Sequence, residues 1–84
     1  MKVIVYSTPI CPWCQAVKSF LKANKIEFEE IDVSRDEVKA QEMILKSGQT
    51  GVPVIDIDGK IVKGFDKPLL EEILGISSNE NKKE

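Results

Sequence analysis

Two cysteines could do chemistry here, Cys11 and Cys14, and they are the only two in the 84-residue chain. They stand in the segment Thr8-Pro9-Ile10-Cys11-Pro12-Trp13-Cys14. A Cys-X-X-Cys pair between an apolar run and a helical pattern is the arrangement of a thiol–disulfide exchange site. On a helix, residues at this spacing lie one turn apart on one face. Their Cα separation then falls within the ~4.4–6.8 Å that a disulfide tolerates. The pair can open and close with little backbone movement, as a reversible electron carrier requires. Position distinguishes the sulfurs. Cys11 stands at the helix start, where unpaired N–H groups and the dipole favour a thiolate. It is expected to titrate below the free-cysteine value and to be the nucleophile. Cys14, one turn inside, is expected to be buried and to act as the resolving thiol. The chain has no histidine, which excludes activation by a Cys–His pair within one molecule. The helix terminus must do that work, with any lysine that reaches the site.

Two other uses of the pair are weaker. A disulfide closing so short a loop would remove little unfolded-state entropy, about 2 kcal/mol at most on the chain-entropy model. A structural zinc wants four Cys or His ligands, more than one chain supplies, so no metal is expected. A dimer could hold an iron–sulfur cluster through Cys11 of each chain, and that carrier role is the alternative to redox exchange.

The elements that must position the pair are legible around it. Lys2 to Tyr6 is β-branched and lacks polar alternation, as in a strand buried on both faces. Pro9 keeps Thr8 out of helical geometry, and Pro12 suits a first helical turn. Val17, Phe20 and Leu21 then recur at helical spacing, and Asn24 is a candidate left-handed cap. Ile26 to Val33 reads as a second strand whose alternation slips between Phe28 and Ile31. Ser34-Arg35-Asp36-Glu37 reads as a capping box with Ser34 as N-cap. It opens a helix to about Lys46, with Val38, Ile44 and Leu45 apolar and Glu42 and Lys46 an i,i+4 pair. Asp58-Gly59 between Val52–Ile57 and Lys60–Val62 is a strong hairpin signal. Asp66 can cap a third helix that carries Leu69, Leu70, Ile73 and Leu74 and stops at Gly75.

The order β-α-β-α-β-β-α implies an α/β fold: a four-stranded mixed sheet with helices on both faces. Residues 1–75 make one domain, and 76–84 are expected to be a disordered polar tail. Hydrophobic residues at 42% and charged residues at 31% suit a globular domain. A net charge of −2 argues against nucleic acid or an anionic membrane surface as partner. No apolar run approaches the ~20 residues of a membrane span, and no signal-peptide pattern precedes the first strand. The expected compartment is the cytoplasm, where a lasting structural disulfide is uncommon.

From Met1 to about Gly75 the chain resembles the glutaredoxin family, and more closely its glutaredoxin-like and NrdH-type redoxin branches. The resemblance rests on Cys11-Pro12-Trp13-Cys14, Gly51-Val52-Pro53-Val54 and Gly64-Phe65-Asp66, and on their order and spacing. It implies a thioredoxin-like fold and dithiol–disulfide exchange by Cys11 and Cys14. It implies a cis Val52–Pro53 bond facing Cys11, although Pro53 could equally open a strand. It implies substrate contacts from Pro12, Trp13, Val52, Pro53, Phe65 and Asp66, with the Val52 backbone pairing to an extended substrate. Trp13 has core packing as its other reading, and Asp66 has helix capping. Glutathione-using relatives often carry a basic residue where Thr8 stands, Thr where Gly51 stands, and Gly-Gly followed by Ser/Thr-Asp where Lys63 to Lys67 stand. The Gly64-Phe65 pair is closer to the NrdH type, which resembles thioredoxin in drawing electrons from a flavoprotein reductase. The expected partners are protein disulfides and either that flavoprotein or glutathione as reductant. No bound cofactor and a monomer are expected.

Overall fold

A computed structural model describes residues 2–75. The elements run β1 (Val3–Ser7), α1 (Pro12–Ala23), β2 (Glu29–Asp32), α2 (Glu37–Ser47), β3 (Val54–Ile57), β4 (Lys60–Lys63) and α3 (Lys67–Leu74). The sheet order is β2-β1-β3-β4. β1 pairs parallel with β2, and antiparallel with β3 through Val3–Ile57 to Tyr6–Val54. β1 and β3 are therefore central, which is why their sequences lack a polar face. Asp58 and Gly59, both at positive φ, turn the β3–β4 hairpin. The expected tail over 76–84 lies outside the described residues. Among the described residues, no helix is long and apolar enough to cross a membrane.

Strand alternation divides the core in two. Val3, Val5, Ile55, Ile57 and Val62 meet Val17 and Leu21 of α1 and Leu70 and Leu74 of α3 on one face. Tyr6 and Val54 meet Met43 of α2 on the other. The apparent slip in the second strand has a simple cause. Ile26 and Phe28 pack on the α1–α3 face, whereas Ile31 and Val33 pack on the α2 face. The expected strand from Ile26 shortens to Glu29–Asp32, because the Ile26 N–H is spent on the Leu21 carbonyl at 2.9 Å, closing α1.

Three local expectations are corrected. Asp36, not Ser34, caps α2, its carboxylate accepting the Lys39 N–H at 3.1 Å. Ser34 is held by Asp32, which accepts both its N–H and its hydroxyl. Asn24 ends α1 at φ −97°, and Lys25 takes the left-handed position at φ 59°. The bonds Ile26 N–H to Leu21 O and Lys25 N–H to Lys22 O form a Schellman closure one residue later than expected. Val38 and Leu45, read as apolar anchors of α2, are 75% and 84% exposed, and Met43 fills the core instead. Helical spacing alone left the orientation of α2 open. Its polar residues decided it.

Those residues bind α2 to the centre of the sheet. The Tyr6 hydroxyl donates to Glu42 Oε2 at 2.7 Å. Lys46 Nζ donates to Tyr6 Oη at 2.7 Å and to Asp56 Oδ2 at 2.6 Å, and reaches Glu42 at 3.2 Å. Asp56 is buried, and its second oxygen accepts the Gly59 N–H at 2.8 Å. The expected Glu42–Lys46 pair is thus present, as part of a network that spans β1, α2 and β3.

Candidate active site

β1 delivers the chain to the site. Ser7 ends the strand, residues 8–10 form the loop, and Cys11 occupies the N-cap of α1 at φ −105°, ψ 109°. Pro12 takes the first helical position, where its missing N–H leaves nothing unpaired. Ser, Thr, Asp or Asn would ordinarily cap such a helix with oxygen. Here sulfur does it: the Cys14 N–H donates to Cys11 Sγ at 3.0 Å. The cap that starts the helix therefore also ties the two cysteines together. A helix start with an amide aimed at sulfur is where negative charge is best accommodated.

The two thiols are free and differ sharply in surroundings. Cys11 is half-buried, and Cys14 is sealed. Burial pushes the Cys14 thiol up to about 12, and the hydrogen bond with the neighbouring Cys11 thiol adds to the rise. The Thr8 backbone and the charge of Lys18 oppose it. Lys18 lies one turn after Cys14, on the face of α1 that carries it.

Trp13 is 63% exposed, which rules out core packing as its role. Its ring tilts at 42° to Phe65, with centroids 6.3 Å apart. Phe65 in turn meets Phe20 edge-on at 5.8 Å. Phe65 thus carries the hydrophobic core out to the tryptophan. Trp13, Val52, Pro53, Gly64 and Phe65 line an apolar groove of about 230 Å³. The Val52–Pro53 bond is cis, and the Pro53 carbonyl accepts the Gly64 N–H at 2.8 Å. Gly64 sits at φ 75°, which glycine adopts without penalty. Asp66 is exposed and caps α3, accepting the Leu69 N–H at 3.3 Å. Of the residues singled out from sequence, four converge in this groove, Pro12 starts the helix beside it, and Asp66 stands next to Phe65 in a capping role.

Ile10, directly before Cys11, belongs to no periodic pattern and is 89% exposed. Among the described residues, no cluster of three or more His, Cys, Asp or Glu is arranged to hold a metal ion.

Comparison with known proteins agrees with this geometry. A family model described as Glutaredoxin matches residues 3–62. The chain is 44% identical over 70 residues to an uncharacterized glutaredoxin-like 8.6 kDa protein in the rubredoxin operon of Clostridium pasteurianum, covering 83% of this chain and 93% of that one. It is 36% identical over 64 residues to Glutaredoxin 3 of Escherichia coli (strain K12), covering 76% and 77%. The solved glutaredoxin of Archaeoglobus fulgidus superposes with a TM-score of 0.81 at 27% identity, covering 87% of this chain and 85% of its own. A solved thioredoxin-like protein superposes at 0.81 with 36% identity, covering 86% and 99%. Sheet order, the strand–Cys-X-X-Cys–helix junction and these matches agree, and the chain belongs to the glutaredoxin family.

Proposed function

We propose that this protein is a small cytoplasmic thiol–disulfide oxidoreductase that reduces protein or low-molecular-weight disulfides through the Cys11–Cys14 dithiol. The observation that carries the reading is the asymmetry of the pair. One sulfur is half-buried and caps a helix two residues before Trp13 of the apolar groove, and the other is sealed one turn inside with its thiol pushed up to about 12. Cys11 thiolate attacks a substrate disulfide, forming a Cys11–substrate mixed disulfide and expelling one substrate thiolate. Cys14 then attacks Cys11 Sγ, the Cys11–Cys14 bond forms, and the second substrate sulfur leaves with the electron pair and takes a proton. Two electrons have passed from the dithiol to the substrate. An extended substrate segment pairs with the Val52 backbone and rests on Trp13 and Phe65, the strand-addition mode of peptide capture.

The same groove bears on the electron donor. A glutathione site must neutralise two carboxylates and satisfy one ammonium. Exposed charge pairs contribute only ~0.2–1 kcal/mol each, so several must converge. Thr8 offers no charge, and Asp66 is already engaged as the cap of α3. Lys63 and Lys67 are exposed beside it. What the site offers most is apolar area from Trp13, Phe65 and Ile10, which suits a protein partner. The donor is therefore a flavoprotein of the thioredoxin-reductase type. Two coupled assays on the oxidised protein test this. NADPH with a thioredoxin reductase from the same source is expected to give efficient turnover. NADPH, glutathione reductase and glutathione are expected to give little. Efficient turnover in the glutathione system alone would make the protein glutathione-dependent.

Trp13, the only tryptophan, reports on the same chemistry. Its indole lies between the two cysteines in the chain and faces solvent. Its emission is expected to be quenched in the oxidised protein and to rise on reduction. Superimposable spectra for the two redox forms would mean that the indole does not sense the sulfurs.

A further inference from the structure

A charged cluster joining α1 to β1 and β2 has no part in the chemistry described so far. Ser7, buried at the end of β1, donates its hydroxyl to Glu30 Oε2 of β2 at 3.1 Å. Lys18 Nζ donates to the same oxygen at 2.6 Å, and its side chain is 13% exposed. Glu30 belongs to the face of the sheet that α1 covers. Lys18 follows Cys14 by one turn, so both side chains leave the same face of α1. A lysine ordinarily stretches its ammonium into water. This one folds back along the helix side and gives its ammonium to Glu30 of the neighbouring strand instead. Cys11, Lys18 and Lys22 on α1 and Glu30 on β2 are the titratable groups that act on the cluster.

We infer that Lys18 is a positioning residue for the resolving step: its ammonium, anchored by the Glu30 carboxylate that Ser7 holds, stabilises the thiolate that Cys14 must become. The inference rests on the exchange reading above. In that step the Cys14 S–H bond gives up its proton and the Cys14–Cys11 S–S bond forms. The Cys11–substrate S–S bond breaks, and the departing thiolate takes up the proton, so atoms and electrons balance. The obstacle is the creation of negative charge at a buried sulfur, and a nearby positive charge lowers that cost. Lys18 acts on Cys14 in this direction, against burial. Glu30 holds the ammonium in place and also offsets part of its charge. Neutralising Lys18 and neutralising Glu30 must then act in opposite directions, whereas two halves of a merely structural ion pair would act in the same one.

The test is rapid mixing of the reduced protein with dithio-bis-nitrobenzoate. Attack by Cys11 releases one coloured thiolate, and resolution by Cys14 releases the second. Lys18→Met is expected to slow the second phase about threefold to tenfold at neutral pH. One pKa unit is a tenfold change in thiolate, partly offset because a more basic thiolate is more nucleophilic. The pH profile of that phase should move to higher pH, and Lys18→Arg should restore it. Glu30→Gln, which keeps a hydrogen-bond acceptor, is expected to accelerate the second phase about twofold or more. A second phase unchanged in Lys18→Met, or slowed alike in both neutral variants without a shift in pH profile, overturns the inference. Should Lys18→Met fail to fold, Glu30→Gln and Lys18→Arg decide it by direction alone. Wild-type protein that never releases the second thiolate would instead overturn the exchange reading itself.

Discussion

Cys11→Ser is expected to lower disulfide exchange by a factor on the order of a thousand or more, because no other group can take over as nucleophile. Cys14 cannot. Burial pushes its thiol up to about 12, and the sulfur is sealed from any substrate. Cys14→Ser should behave differently. Cys11 remains able to attack, but nothing resolves the product, so the variant should accumulate as a mixed disulfide with its protein substrate. Reduction of substrates carrying a small thiol, which free thiols in solution can resolve, can survive. Alkylation of the reduced wild-type protein at neutral pH, followed by peptide mass spectrometry, should find the label on Cys11 long before Cys14. Faster labelling of Cys14 would reverse the assignment of roles.

The second large effect is on stability. Lys46→Met is expected to cost about 2–4 kcal/mol, because it leaves the buried Asp56 carboxylate without its cation and Tyr6 without a donor. For a domain of this size that corresponds to a fall in melting temperature of roughly 10–25 °C. Replacing Asp56 by Asn in the same variant should recover part of the loss, since a neutral amide is less costly to bury than an unpaired charge. Denaturant unfolding of the single and double variants checks both points. A loss under about 0.5 kcal/mol for Lys46→Met would mean that the network contributes little.

The network also fixes where acid begins to act. The Tyr6 hydroxyl, with Lys46 and Lys39, holds the Glu42 carboxyl down at about 2. A depressed carboxylate contributes stability above its unfolded value, near ~4.3, and loses it as pH falls through the folded value. Lys46 lies the other way. Against the cost of its burial, hydrogen bonds to Asp56, Tyr6 and Glu42 push its ammonium up. Its contribution is complete below its unfolded value, near ~10.4, and is lost only in strong alkali. Stability should therefore erode between roughly pH 4.5 and pH 2, and Glu42→Gln should flatten that slope. The consequence reaches the site, because Tyr6 precedes Ser7 at the mouth of the cysteine loop and Asp56 lies on the strand that follows Pro53.

The sequence by itself determined the order of the elements and the place of the cysteine pair among them. Cys-X-X-Cys between a β-branched run and a helical pattern is local information. So are Pro12 at the helix start, Asp58-Gly59 in the hairpin and Asp66 before α3, because each acts through bonds to residues within one turn. The roles expected of the two sulfurs follow from the same local geometry. What only the tertiary structure decided depends on which distant groups meet. Val38 and Leu45 fit an apolar helical stripe, yet Lys46 and Glu42 found Asp56 and Tyr6 across the sheet, and turning α2 toward them left both apolar residues in water. Ser34 fits an N-cap, yet the Asp32 carboxylate at the end of β2 claimed it. Trp13 could pack or be exposed, and Phe65, brought back by the hairpin, filled the space beside Phe20 and left the indole at the surface. Lys18 is one of a row of helix lysines in the sequence. Only the parallel pairing of β1 with β2 places Glu30, itself held by the Ser7 hydroxyl, where it can take the Lys18 ammonium, because an ion pair across elements exists only once the strands have set their register.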